Sequence, residues 1–120
     1  DKKLLNLLKK NKIEIHARSI FLQGLLLSTK DIRFKKFKKW KKLWLKIDNY
    51  CKENKTSILN LALNYVLTQK HIKKVVIGFD DSKQLKQILE NTNKFKKKKN
   101  FNKLISNNKL LIDPNNWKKI

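Results

Sequence analysis

The chain has 120 residues and a formal net charge of +22, from 31 Lys and Arg against 9 Asp and Glu. That length holds one domain at most, and no apolar run reaches the ~18–20 residues needed to cross a bilayer. The single cysteine, Cys51, excludes an intrachain disulfide.

Only two of the 31 basic residues, Arg18 and Arg33, are arginines, which leaves 29 lysines. Recognition of phosphates and bases favours arginine, whose planar fork is bidentate. Lysine, asparagine and isoleucine share A/T-rich codons, so the basic surface has two readings: compositional drift or a selected anion-binding surface. The chain lacks Met and opens on Asp1, so the expectation is a segment of a longer reading frame. No secretory signal pattern opens it, and the expected location is the cytoplasm.

Residues 1–10, DKKLLNLLKK, put Leu4, Leu5, Leu7 and Leu8 on one stripe and predict an amphipathic helix. Residues 13–18, IEIHAR, alternate and predict a strand, with Ile13, Ile15 and Ala17 on one side and Glu14, His16 and Arg18 on the other. Residues 19–32 read as an apolar loop pivoting on Gly24, one of two glycines, and should pack over something. Phe34, Phe37, Trp40, Trp44 and Ile47 recur at steps of three and four and predict one long helix over 33–54. Cys51 lies in that helix as a half-buried thiol.

Thr56 or Ser57 caps the next helix, SILNLALNYVLTQ over 57–69, which is apolar on most sides and should be well buried. KKVVI at 73–77 predicts a second strand, followed by Gly78, which permits a turn or a close backbone approach. Asp80, Asp81 or Ser82 caps a helix with Leu85, Ile88 and Leu89 inward. Residues 94–103 are a low-complexity basic segment, and the tail carries Pro114 and Trp117. Helices alternating with strands indicate parallel βα units. Two strands alone cannot complete such a sheet, so the order suggests part of a larger parallel sheet or barrel.

Three blocks carry a family resemblance. Arg18-Ser19-Ile20-Phe21-Leu22-Gln23-Gly24-Leu25-Leu26 resembles the aldo-keto reductase segment Tyr-Ser-Pro-Leu-x-x-Gly-Leu-Leu. Leu61 to Gln69 is similar to that family's Ala-Leu-x-Trp-Val-Leu-x-Gln helix, and Val75-Val76-Ile77-Gly78-Phe79 with Gln84-Leu85 to its Ile-x-Gly-Ala…Glu-Gln-Leu signature. The Arg-Ser-x-Phe-Leu-Gln-Gly wording and the closing Asp113-Pro114-Asn115-Asn116-Trp117 resemble a subgroup associated with surface-polysaccharide and sugar modification.

The resemblance implies the C-terminal part of a parallel (β/α)8 TIM barrel, with its chemistry at the C-terminal ends of the strands. It implies NADP or NAD as cofactor and a small-molecule carbonyl or sugar substrate. The N-terminal half of the same protein would complete the barrel. It carries over Ser19 and Phe21 as main-chain contacts to the pyrophosphate. Arg18 stands where the family usually has a Tyr stacked on the nicotinamide; a guanidinium also stacks on flat rings. Gly24 lets the strand-end loop turn closely. Gly78, Phe79, Asp80 and Gln84 match the turn that holds the adenosine end, where a helix N-terminus faces phosphate.

Asp80 and Asp81 have two readings: repulsion of a 2′-phosphate, which leaves NADH open, or simple helix capping. Ile88 stands where many members have Asn. The family's catalytic Tyr, Lys, Asp and His match no residue here, and Tyr50, Tyr65, His16 and His71 are not assigned to catalysis. This chain alone is therefore expected to be inactive, and no metal site is expected. The competing readings are a basic nucleic-acid-binding module, a non-catalytic remnant, and a membrane-surface helix at FKKFKKWKKLW. The first and third require exposed aromatics, whereas the stripe predicts buried ones, so no specific nucleic acid and no membrane partner is expected.

Overall fold

The computed structural model describes residues 2–92 and 101–120. They fall into two compact units, Asp1–Ile20 with Leu63–Lys98, and Phe21–Ala62 with Lys99–Ile120. Of the predicted basic segment 94–103, residues 94–100 lie outside the described residues.

The first unit is built around one parallel strand pair. Helix α1 (Lys2–Lys10) leads into strand β1 (His16–Ala17), which pairs in parallel with strand β2 (Lys74–Val75) in the register His16↔Lys74 and Ala17↔Val75. The strands are shorter than the alternation over 13–18 and 73–77 predicted, although Lys73 N–H to Ile15 O (2.9 Å) and Val76 N–H to Ala17 O (2.8 Å) extend the pairing. Helix α1 ends where Lys12 turns left-handed (φ 54°), with Ile13 N–H on Leu8 O and Lys12 N–H on Lys9 O. This is the double closure normally completed by glycine.

Helix α5 (Ser82–Thr92) begins as predicted: the Asp81 carboxylate accepts the Gln84 N–H at 2.7 Å. Its inward face is narrower than expected. Ile88 is buried and Leu85 half-buried, but Leu89 is exposed. The α1 stripe is likewise corrected, because Leu4 and Leu7 are exposed and only Leu5 and Leu8 are half-buried. In both helices two positions three apart turn inward and their neighbours do not, the usual one-sided burial of a surface helix.

Helix α4 (Ile58–Leu67) is capped by Ser57, whose hydroxyl accepts the Asn60 N–H at 3.1 Å. It is not buried all round: Leu63 and Val66 are buried, whereas Tyr65 and Leu67 are exposed. Gly78 has an ordinary φ and nothing within 4 Å of the place a Cβ would occupy, so glycine is not sterically required there. Gly24 does need its freedom, at φ 77°.

The second unit has the larger core. Leu25, Phe37, Trp44, Ile47, Cys51 and Leu111 form it. The apolar loop supplies Leu25 from a short 3-10 turn, Leu25–Leu27, and Phe21 is buried as well. The predicted long helix over 33–54 is instead α2 (Lys30–Lys36), a 3-10 turn (Lys38–Trp40) and α3 (Lys41–Glu53). Phe34, Phe37 and Trp40 are three apart, and each such step on an α-helix falls about 60° behind the last, so one continuous helix would spread the three rings over an arc of about 120°. The break at Phe37 (φ −110°, ψ 37°) resets the phase. It also frees the Phe37 carbonyl, which accepts the Trp40 N–H and the Trp44 indole N–H, each at 3.1 Å.

Phe37 and Trp44 are then almost completely buried. Cys51 is buried, at 8% exposure, rather than half-buried. Helix α6 (Lys109–Ile112) and a 3-10 segment, Pro114–Lys119, close the unit, with the Trp117 ring edge-on to Phe37 at 4.9 Å. The Trp117 indole N–H donates to Leu111 O at 2.9 Å. A part-buried ion pair joins two helices of this unit: the buried Arg33 donates from Nη1 to Asp48 Oδ1 at 3.0 Å.

Candidate functional site

Parallel pairing makes both strands of the first unit run out at the same end. Arg18 and Ser19 follow β1, and Gly78, Phe79 and Asp80 follow β2. In open α/β architectures the carboxyl ends of neighbouring parallel strands form the ligand-binding edge. Six of the eight predicted cofactor residues, Arg18, Ser19, Gly78, Phe79, Asp80 and Gln84, belong to this unit. Phe21 and Gly24 belong to the second, where Phe21 is buried and its carbonyl accepts the Leu26 N–H at 3.2 Å.

The backbone at the β1 end is unusual. Ser19 is left-handed at φ 57°, and Leu22, Gln23 and Gly24 are left-handed in succession. Non-glycine residues in this region are uncommon and tend to mark turns or sites under constraint. Among the described residues, the Ser19 and Phe21 N–H groups donate to no other group of the chain. Open space around the Gly78 Cα leaves room at the second segment.

The start of α5 is less suited to a phosphate. The Gln84 N–H is taken by Asp81, and the Gln84 Oε1 accepts the Asp80 N–H at 2.8 Å. Two backbone donors that would meet an anion are therefore used internally. Asp81 has its capping role; the Asp80 side chain is exposed and accepts no hydrogen bond among the described residues. Ile88 is buried, so it belongs to the core and not to a ligand contact.

At the other end of the strands, Glu14 accepts from His16 Nε2 at 2.6 Å and from Lys74 Nζ at 3.1 Å. These hydrogen bonds, His16 first and then Lys74, hold its carboxyl below the usual carboxylate range. His71 and Tyr65 are exposed. No group of three or more His, Cys, Asp or Glu side chains arranged to hold a metal ion occurs among the described residues. Burial pushes the Cys51 thiol up, and the neighbouring Asp48 adds to the shift.

Sequence reasoning missed two features. One is the Arg33–Asp48 pair, which joins residues fifteen apart on separate helices. Its only signal was an arginine within a lysine-rich stretch. The other is a basic cleft in the first unit, formed by segments far apart in the chain. Of the aromatic residues that a nucleic-acid or membrane-surface reading needs exposed, Phe37 and Trp44 are buried and Phe34 and Trp40 half-buried. No helix among the described residues is long and apolar enough to cross a membrane.

The described residues join one parallel strand pair to helices, an α/β arrangement. The model of the aldo/keto reductase family matches residues 1–108, and the chain belongs to that family of oxidoreductases, whose fold is a (β/α)8 barrel. The parallel strand pair and its helices are consistent with a part of such a barrel. No curated protein and no solved structure matches the chain.

Proposed function

We propose that this chain is the C-terminal, cofactor-binding part of an NAD(P)-dependent aldo/keto reductase that acts on a carbonyl of sugar type. The observation that carries the reading is the parallel register His16↔Lys74 and Ala17↔Val75, from which Arg18–Ser19 and Gly78–Asp80 leave at one edge. The nicotinamide cofactor would supply or accept the hydride. Ser19 and Phe21 would offer backbone N–H groups to the pyrophosphate, and Gly24 would set the loop. Arg18 would lie flat against the nicotinamide. Gly78, Phe79, Asp80 and Gln84 would hold the adenosine end, with Asp80 accepting from a ribose hydroxyl. Asp80 and Asp81 favour NADH over NADPH in this reading. The proton-donating Tyr and its Lys, Asp and His partners would come from the N-terminal half of the same protein, in the cytoplasm. Support for the sugar-type substrate is the subgroup wording of 18–24 and 113–117.

The test is a titration of the intact protein with NADH and with NADPH, following the backbone amides of Ser19, Phe21, Gly78 and Asp80 by NMR. Saturable shifts at these amides, with tighter binding of NADH, are expected. The double variant Asp80→Asn/Asp81→Asn should narrow the gap between the two cofactors several-fold, because Asn still caps α5. Saturable shifts confined to other residues, or no binding of either nucleotide, would overturn the reading.

A further inference from the structure

The first unit holds a second concavity. A cleft of about 600 Å³ lies at the amino ends of the two strands. Residues 12–15 enter β1 there, and residues 70–73 enter β2. It is therefore at the end of the parallel pair opposite Arg18, Ser19 and Gly78.

The cleft has a consistent chemistry. Leu5, Ile13 and Ile15 give it an apolar wall. Lys9, Lys12, Lys70 and Lys73 line it from three segments, and none of the four has a carboxylate within 4 Å among the described residues. The one acid in the lining, Glu14, is already engaged by His16 and Lys74. Four cations converging on a recess raise the local concentration of anions more than the same charges spread over a convex face. The volume lies within the roughly 300–1,000 Å³ range of sites for small organic ligands and is larger than a bare phosphate needs.

We infer that this cleft binds a small organic phosphate, with the phosphate held by Lys9, Lys12, Lys70 and Lys73 and an apolar or flat-ring body against Leu5, Ile13 and Ile15. Binding there is independent of the dinucleotide edge and does not depend on that reading.

The net charge of +22 makes the test one of locality. The probe is phenyl phosphate, with inorganic phosphate as comparison, at about 0.15 M salt, where charges beyond ~8 Å are largely screened. Two quadruple variants of the intact protein carry the same change in charge. One is Lys9→Gln/Lys12→Gln/Lys70→Gln/Lys73→Gln. The other is Lys35→Gln/Lys38→Gln/Lys42→Gln/Lys52→Gln, at exposed positions of the second unit. Calorimetry should give about a tenfold loss for the cleft variant and under about twofold for the other, a difference of roughly one decade in Kd. In the parent, NMR shifts should saturate at Ile13, Ile15 and His71 and be absent at Ile47 and Leu111, buried residues of the second unit, whatever the variants' folding. Inorganic phosphate should bind several-fold more weakly. Equal losses in the two variants, shifts spread over the surface, or equal affinity for both phosphates would overturn the proposal.

Discussion

Replacing Asp48 with Ala tests how the second unit is held together. The Arg33 side chain is 4% exposed and that of Asp48 14%. Removing the carboxylate leaves a guanidinium buried without a counter-charge, which costs about 3–5 kcal/mol. Lys30 Nζ, 3.9 Å from Asp48 Oδ2 and largely exposed, adds a pair worth at most about 1 kcal/mol. Urea denaturation of the intact protein, followed by tryptophan fluorescence, reads the loss directly, since Trp44 lies in this core. With a slope of about 1–3 kcal/mol/M, the midpoint should fall by roughly 1–5 M. The pair is imperfectly satisfied, because Arg33 Nε and Asp48 Oδ2 have no hydrogen-bond partner. An apolar replacement of both, Arg33→Met with Asp48→Leu, should therefore recover most of the loss or exceed the parent. A midpoint shift below about 0.3 M for Asp48→Ala, or a double variant no better than the single, would show that the buried charge does not govern this unit's stability.

Three further outcomes follow from local geometry. Lys12 and Lys55 both sit left-handed at helix ends, φ 54° and 48°, so Lys12→Gly and Lys55→Gly should each stabilise by a few tenths to about 1 kcal/mol, read as a raised thermal midpoint; a lowered midpoint for both would contradict this. Glu14 should titrate by NMR below an ordinary Glu, and His16→Ala should raise its midpoint. Its folded-state value is depressed, so its contribution is present above the ordinary Glu range and is lost as pH falls through the folded value. Cys51, raised by burial, should react with a thiol reagent far more slowly in the native protein than in urea. Its contribution is present below the ordinary thiol value and is lost as pH rises toward the folded one.

Local signals in the sequence carried over where the structure is local. Alternation at Glu14, Ile15, His16 and Ala17 located β1, and the Asp81 cap located α5. Ser57 and Gly24 also behaved as their chemistry predicts. The failures share a cause. The break at Phe37 depends on which rings a core accepts, so a run of aromatics three and four apart reads as one helix until the core is seen. Lys12 and Lys55 end helices with a residue type that gives no stop signal, in a chain with only two glycines. Arg33 meets Asp48 only through the fold, and the lysine cleft joins residues 5–15 to 70–73. That Arg18–Ser19 and Gly78–Asp80 leave neighbouring parallel strands was legible because each group follows its strand in the sequence, whereas the cleft has no contiguous motif.

If this chain is the back part of a reductase barrel, the front part must be encoded ahead of it. Sequencing the coding DNA immediately upstream of the Asp1 codon decides the matter. A complete barrel of this type runs to about 250 residues. The expected result is an open frame of roughly 130 codons or more, encoding further βα units with Asp, Tyr, Lys and His at successive strand ends. A start codon directly upstream of Asp1, preceded by an in-frame stop, would contradict the proposal that this chain is the cofactor-binding part of a complete reductase.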